Sequence, residues 1–188
     1  MARLIETTDL YRGWSRLMRA TIETDGGKVI HREVEDHGHA VAVLPYDPER
    51  RTALLVRQLR SGPLVNGEAD PHLLEAPAGM IDAGETPETA ARREALEEIG
   101  VRLGDLTPLG RAYSSPTITT ETLTLFLATF SCADRVAGGG GLADEGEEIE
   151  VVEMALNDLA ALIDSGGLND MKTLVLASRL RHVRPDLF

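Results

Sequence analysis

Glu94, Glu97 and Glu98 stand at i, i+3 and i+4. On a helix their carboxylates therefore share one face. An all-oxygen ligand set suits a hard divalent cation, Mg²⁺ or Mn²⁺, better than Zn²⁺. The flanking residues predict that helix. Thr86-Pro87 reads as an N-cap followed by proline at the first helical position, and Gly100 can supply a left-handed stop. Between them Ala90, Ala91 and Ala95 add helix propensity and a slim surface for close packing. Glu97 and Glu98 fall in the last turn, where an acid opposes the macrodipole by roughly 0.3–1 kcal/mol each. A helix built only for stability would carry Lys or Arg there. Clustered glutamates are most often a solvated helix face, but acids against the dipole have a second reading: a bound cation offsets them.

Composition bounds the rest. The chain has 188 residues, which favours one domain with at most a small extension, and 43% hydrophobic residues, enough for a core. No apolar run approaches the roughly 18–20 residues of a membrane span. The opening MARLIETTDLYRGW lacks the apolar stretch of a signal peptide, so the expected compartment is the cytoplasm. Cys132 is the only cysteine, which excludes an internal disulfide and gives no metal-site spacing; it is expected to pack in the core. The formal net charge of −12 disfavours a nucleic-acid partner. It also means that an anionic substrate needs metal ions and local arginine to be received.

The elements that must position the glutamates follow from periodicity and turn residues. Strands are expected over Leu4–Tyr11, Ser15–Glu23, Lys28–Glu35, His39–Leu44, Thr52–Leu59, His72–Ala76, Leu109–Tyr113, Glu121–Phe130 and Ile149–Met154. Ser61–Asp70 reads as a polar loop, and Ala137–Gly146, with four consecutive glycines and then acids, as a mobile one. Asn157–Ser165 and Asp170–Val183 read as amphipathic helices with Asn or Asp caps. Tyr113 is expected in the core. This order predicts an α/β fold with mixed β-sheets sandwiched between helices.

From Gly79 to Val101 the chain fits G-x5-E-x7-R-E-U-x-E-E-x-G-U, with U apolar, at Gly79, Glu85, Arg93, Glu94, Ala95, Glu97, Glu98, Gly100 and Val101. This resembles the box of the Nudix hydrolases, which cleave a diphosphate bond linked to a nucleoside. The resemblance implies metal ligation by Glu94 and Glu98, with Glu97 close behind and the Ala78 carbonyl completing the shell. It gives Arg93 and Glu85 a structural role, pairing to hold the loop against the helix.

Features outside the box resemble the nucleotide-sugar branch of that family, the GDP-mannose and ADP-ribose pyrophosphatases. They are the R-Q-x-R strand Arg57–Arg60, the lead-in Leu74-Glu75-Ala76-Pro77-Ala78-Gly79, and Pro116 downstream of Gly100. Val65-Asn66-Gly67, Gly138–Gly141, Glu145-Gly146-Glu147-Glu148-Ile149-Glu150-Val151 and Gly167-Leu168-Asn169-Asp170-Met171-Lys172-Thr173 resemble the GDP-mannose enzymes. Thr117 stands where the family usually has glycine, and Leu142-Ala143-Asp144 looks more like the ADP-ribose enzymes. The branch implies Mg²⁺-dependent hydrolysis of a nucleoside diphosphate sugar to a nucleoside monophosphate and a sugar phosphate, with GDP-mannose favoured and ADP-ribose second. It also implies residues 1–36 as a β-strand extension used in a homodimer and residues 37–188 as the hydrolase domain.

Aligned to the branch, Glu145 is the general base and Glu147 a further metal ligand, with Glu97 or Glu147 as the alternative base and a solvated acidic turn as the competing reading of residues 144–148. Arg60 is the candidate phosphate donor, with a strand-edge ion pair as the competing reading. Arg57 reaches the same face only through a kink. Tyr11 and Trp14 on the N-terminal strands either stack on the base from a partner subunit or pack in an interface or core. Two other readings stay open: a non-catalytic module that senses a nucleotide sugar, and a nucleoside-triphosphate house-cleaning enzyme. A sensor usually lacks some box carboxylates; the house-cleaning branch lacks the N-terminal strands and the downstream proline.

Overall fold

A computed structural model describes residues 1–142 and 146–188. The predicted base, Glu145, lies outside the described residues. The chain divides into two compact units, residues 1–40 with 111–123 and residues 41–110 with 124–188.

In the first unit β1 (Arg3–Arg12), β2 (Arg16–Glu23) and β3 (Val29–Asp36) form an antiparallel sheet in the order β1-β2-β3. The Asp25-Gly26-Gly27 turn joins β2 to β3, with Gly27 at φ 75° and its N–H donating to the Thr24 carbonyl. Strand β1 is exposed along its whole length. Trp14 sits in the turn between β1 and β2 rather than on a strand, and it is 81% exposed. Tyr113 is exposed as well, against the expectation of a core position. It ends an edge strand of the larger, seven-stranded sheet, with no strand beyond it to cover it.

The larger sheet, most of it in the second unit, has the strand order β10-β5-β4-β9-β8, built from β4 (Ala40–Asp47), β5 (Thr52–Leu59), β8 (Leu106–Tyr113), β9 (Thr122–Thr129) and β10 (Ile149–Ala155). The short β6 (His72–Glu75) pairs with β5, and β7 (Ala78–Met80) with β4. Strand β4, AVAVLPYD, is buried throughout, as its near-continuous apolar run demands. After β4 the Asp47 carboxylate accepts from the Glu49 and Arg50 N–H groups and closes the turn into β5. Ala90, Ala91, Ala95 and Ile99 of helix α2 (Pro87–Ile99) pack with Val41, Val43, Leu54 and Val56 and with Phe126 and Phe130. Small side chains on the helix let it lie close to the sheet.

The other helices are α1 (Ser61–Val65), α3 (Leu156–Ser165) and α4 (Met171–Val183). Helix α1 replaces part of the loop expected before the box. Helix α3 starts one residue before Asn157, with Ala155 at its N-cap and no side-chain cap. On α4 the Asp170 cap is made: its carboxylate accepts from the Thr173 N–H. Cys132 is exposed in a 3₁₀ turn, not packed in the core, because β9 ends before it. Among the described residues no helix is long and apolar enough to cross a membrane.

Candidate active site

Helix α2 has the predicted ends. Thr86 Oγ1 accepts from the Thr89 N–H at 3.2 Å, Pro87 opens the first turn, and Gly100 takes φ 68°. No basic residue lies in its last turn. The helix turns Glu94 and Glu98 inward: both are buried, and Glu98 is only 2% exposed. Glu97, between them, is half-buried.

That burial is costly for carboxylates. Burial pushes the Glu98 carboxyl up to about 8; an N–H bond from Ala78 at 3.0 Å resists this, and the charges of Glu94 and Glu147 add to it. Glu94 is also raised, by burial first, against the pull of the Arg93 guanidinium. Gly79 makes room for this arrangement, since a Cβ there would lie 1.9 Å from Glu94 Oε1. A side chain at that position would drive the Glu94 carboxylate out of its place.

Arg93 is the clamp of the box. It donates to both oxygens of Glu85 at 3.2 and 3.0 Å, to the Met80 carbonyl at 2.9 Å, to Glu94 at 2.8 Å and to Glu97 at 3.1 Å. These hydrogen bonds, those to Glu85 above all, hold its pKa well above the ordinary arginine value. One guanidinium thus ties the loop after β7 to the helix and takes one oxygen from each of two box glutamates. Among the described residues no three His, Cys, Asp or Glu side chains are gathered tightly enough to hold an ion as they stand. The chemistry of the donors nevertheless fits a hard cation. Buried carboxylates that raise one another's proton affinity are what a divalent ion would relieve.

A second cluster lies at the entry to the box. Glu75, 1% exposed, accepts from Arg60 Nε at 2.7 Å and Nη2 at 2.8 Å, and also from Lys172 Nζ. Lys172 donates in addition to Asp170 at 3.0 Å. Thr173 Oγ1 donates to Asp170 and accepts from the Ala76 N–H at 2.7 Å, which fastens the start of α4 to the strand leading into the box. Burial alone would raise the Glu75 carboxyl, but Arg60 and Lys172 outweigh it and hold it below the ordinary value. The Arg60 charge reaches Glu98 and lowers its proton affinity, so the two clusters are electrostatic neighbours.

Sequence reasoning singled out Arg60 alone in this cluster. Glu75 and the D-x-K-T residues were visible only as parts of motifs, with no role attached. Arg57 points elsewhere: it is exposed and pairs with Asp70. Glu147 is half-buried, and its Oε2 accepts from the Leu142 N–H at 3.0 Å.

The remaining predicted contacts belong to the first unit. Tyr11 is exposed on β1, and Pro116 is exposed in the turn after β8. Trp14 stacks on His37, with ring centroids 5.1 Å apart and planes at 22°. His37 in turn hydrogen-bonds Glu35 at 2.8 Å and Glu121 at 3.2 Å. Burial would lower this imidazole's pKa, but the two carboxylates outweigh it and hold it above 6.5.

The fold and the box glutamates define a class. The NUDIX domain matches residues 36–173, and the chain belongs to the Nudix family of hydrolases. Among its relatives, the GDP-mannose pyrophosphatase of Cronobacter sakazakii is 41% identical over 158 residues, 84% of this chain and 81% of that protein. The GDP-mannose pyrophosphatase of Klebsiella pneumoniae is 37% identical over 182 residues, 95% of this chain and 90% of that one. A crystal structure of an ADP compounds hydrolase superposes with a TM-score of 0.77 over 98% of this chain and 95% of that one, at 20% identity. At that identity the likeness speaks for the fold alone.

Proposed function

We propose that this chain hydrolyses the diphosphate bond of a nucleoside diphosphate sugar, GDP-mannose first and ADP-ribose second, with Mg²⁺ or Mn²⁺ as cofactor. The observation that carries the reading is the buried Glu94–Glu98 pair beside the Ala78 backbone, with Arg60 as electrostatic neighbour. The names and coverage of the relatives support the choice of substrate class.

Glu94, Glu98, the Ala78 carbonyl and Glu147 would hold the divalent cation. When bound, that cation offsets the charge of the diphosphate and acidifies water. Arg60 presents a planar guanidinium beside the box, and Lys172 a second cation; both can donate to phosphate oxygens while Glu75 orients them. Glu145 takes the proton of the attacking water. A new bond forms from the water oxygen to phosphorus, the bridging P–O bond breaks, and a nucleoside monophosphate and a sugar phosphate leave. The homodimer we infer through residues 1–36 is supported by β1, whose Leu4, Ile5, Leu10 and Tyr11 are all exposed.

Steady-state assays with Mg²⁺ on GDP-mannose, ADP-ribose, diadenosine polyphosphates and dGTP test the reading. Turnover of a nucleotide sugar well above the others is expected. Preference for dGTP would move the chain to the house-cleaning branch, and no turnover of any substrate would make it a sensor. Glu145→Gln is expected to lower kcat by at least about 100-fold, the scale of a lost general base. A kcat within a few fold of wild type would pass the role to Glu97 or Glu147.

A further inference from the structure

The four glycines after Ala137 are expected to be mobile, but two of them hydrogen-bond the C-terminus of α2 and a third packs closely against it. Gly140 N–H donates to the Glu98 carbonyl at 2.9 Å, and Gly141 N–H to the Glu97 carbonyl at 3.1 Å. Just upstream, Val136 and Ala137 N–H groups both donate to the Gly100 carbonyl, at 2.9 and 3.2 Å. These donors meet carbonyls that a helix end leaves unpaired. They also set positive dipole ends against the last turn, where the chain has placed acids instead of bases.

Only glycine fits the closest approach. Gly139 takes φ 69°, and a Cβ there would stand 2.5 Å from the Glu98 carbonyl oxygen and 2.7 Å from Ile99 Cα. Those are backbone atoms of a buried helix end, so they cannot swing away. Gly141 takes φ 76°, and its Cβ would meet Glu147 Oε2 at 2.6 Å and Glu147 Cβ at 2.8 Å. Glu147 and Ile149 are bonded back to this segment. Leu142 N–H donates to Glu147 Oε2 at 3.0 Å, Glu147 N–H to the Leu142 carbonyl at 3.3 Å, and Ile149 N–H to the Gly140 carbonyl at 3.3 Å. One side of the segment touches the backbone of Glu97 and Glu98; the other touches the side chain of Glu147.

The geometry points to Gly139–Leu142 as a positioning strap that fixes Glu147 relative to the Glu94 and Glu98 carboxylates, with Gly139 and Gly141 as positioning residues for the divalent cation. It rests on the reading of those three glutamates as the cation's ligands. A rigid strap explains why a run of glycines, which is entropically expensive to order, stands beside the acidic segment. Its use is close backbone approach rather than hinge motion.

The test uses the full chain and Mn²⁺ alone, with binding read by electron paramagnetic resonance and the rise in Tm on adding Mn²⁺ read by calorimetry. Gly139→Ala and Gly141→Ala are each expected to weaken Mn²⁺ binding about tenfold, as loss of a supporting contact does, and to shrink the Mn²⁺-dependent rise in Tm. Gly138→Ala is the control: its Cβ would meet nothing within 4 Å, and it should bind Mn²⁺ as wild type does. Should Gly139→Ala fail to fold, Gly141→Ala decides, because its clash is with a side chain and not with the helix. Wild-type binding in a folded Gly139→Ala or Gly141→Ala protein overturns the strap. Equal weakening in Gly138→Ala also overturns it, since general loosening would then suffice. Wild-type binding by Glu147→Gln overturns the premise instead, showing that the ligand reading failed and not the mechanics.

Discussion

Glu98→Gln is expected to stabilise the metal-free protein while lowering kcat about 10³-fold. The two effects share a cause. Glu98 is 2% exposed, and burial, reinforced by Glu94 and Glu147, pushes its carboxyl up to about 8. A carboxyl raised in the folded state above its ordinary 4.5 binds its proton more tightly when folded. Its favourable contribution is therefore complete below pH 4.5 and is lost as pH rises through 8. Glutamine is neutral throughout, and its amide oxygen can still accept from the Ala78 N–H. The variant's advantage should accordingly be small at pH 5 and grow to about 2 kcal/mol at pH 9, a difference of about 4–8 °C in Tm for a chain of this size. Calorimetry in chelator at the two pH values measures it. Loss of a carboxylate ligand removes several kcal/mol of charge stabilisation, and about 4 kcal/mol corresponds to about 10³ in rate. Wild-type Tm at both pH values would mean that the buried charge is compensated within the protein and no cation is required to offset it.

The same helix shows what could be read from the sequence. Thr86, Pro87 and Gly100 act locally, through one hydrogen bond, a fixed φ and a positive φ, so both ends were legible. The shared face of Glu94, Glu97 and Glu98 follows from the helical period. Its burial does not, and Arg93 in fact reaches five acceptors where the family pattern suggested a single partner. Local composition misled at the glycines. Gly138–Gly141 reads as flexible because nothing in the sequence shows the helix end that Gly140 and Gly141 bond and Gly139 packs against. Cys132, Tyr113 and Trp14 were placed by residue type, but strand ends and turns decide exposure, and all three lie at such points.

Contacts across long stretches of chain were least legible. Glu75 and Lys172 are 97 residues apart in sequence, and only the folded α4 brings the ammonium to the carboxylate. Each side of the pair sat in a recognisable motif, but neither motif states its partner. The same holds for Arg60, where the ion pair and the phosphate role stood as competing readings. Glu75 lets both apply, because an arginine already oriented by a buried carboxylate keeps its three remaining N–H donors for another anion.

Glu75→Gln is accordingly the substitution expected to cost most stability in the second unit. The carboxylate is almost wholly buried and is held by two cations, so neutralising it leaves Arg60 without its carboxylate partner and Lys172 with Asp170 alone. Breaking a buried pair on one side costs about 3–5 kcal/mol. Arg60 can turn partly to solvent, its side chain being 39% exposed, so about 3 kcal/mol is expected, or about 6–12 °C in Tm. The pH dependence is opposite to that of Glu98. The Glu75 carboxyl is held below its ordinary 4.5, so its contribution is present above that value and is lost as pH falls through the depressed folded value. Urea unfolding should therefore show the full deficit at pH 7.5 and a smaller one at pH 3.5. A double-mutant cycle with Lys172→Met isolates the pair. A coupling of about 1–3 kcal/mol is expected for directly bonded neighbours, and the double variant should be more stable than the sum of the two single losses predicts. Additive losses, or a Glu75→Gln deficit that ignores pH, would mean that Glu75 acts through packing alone and that the two cations are not oriented by it.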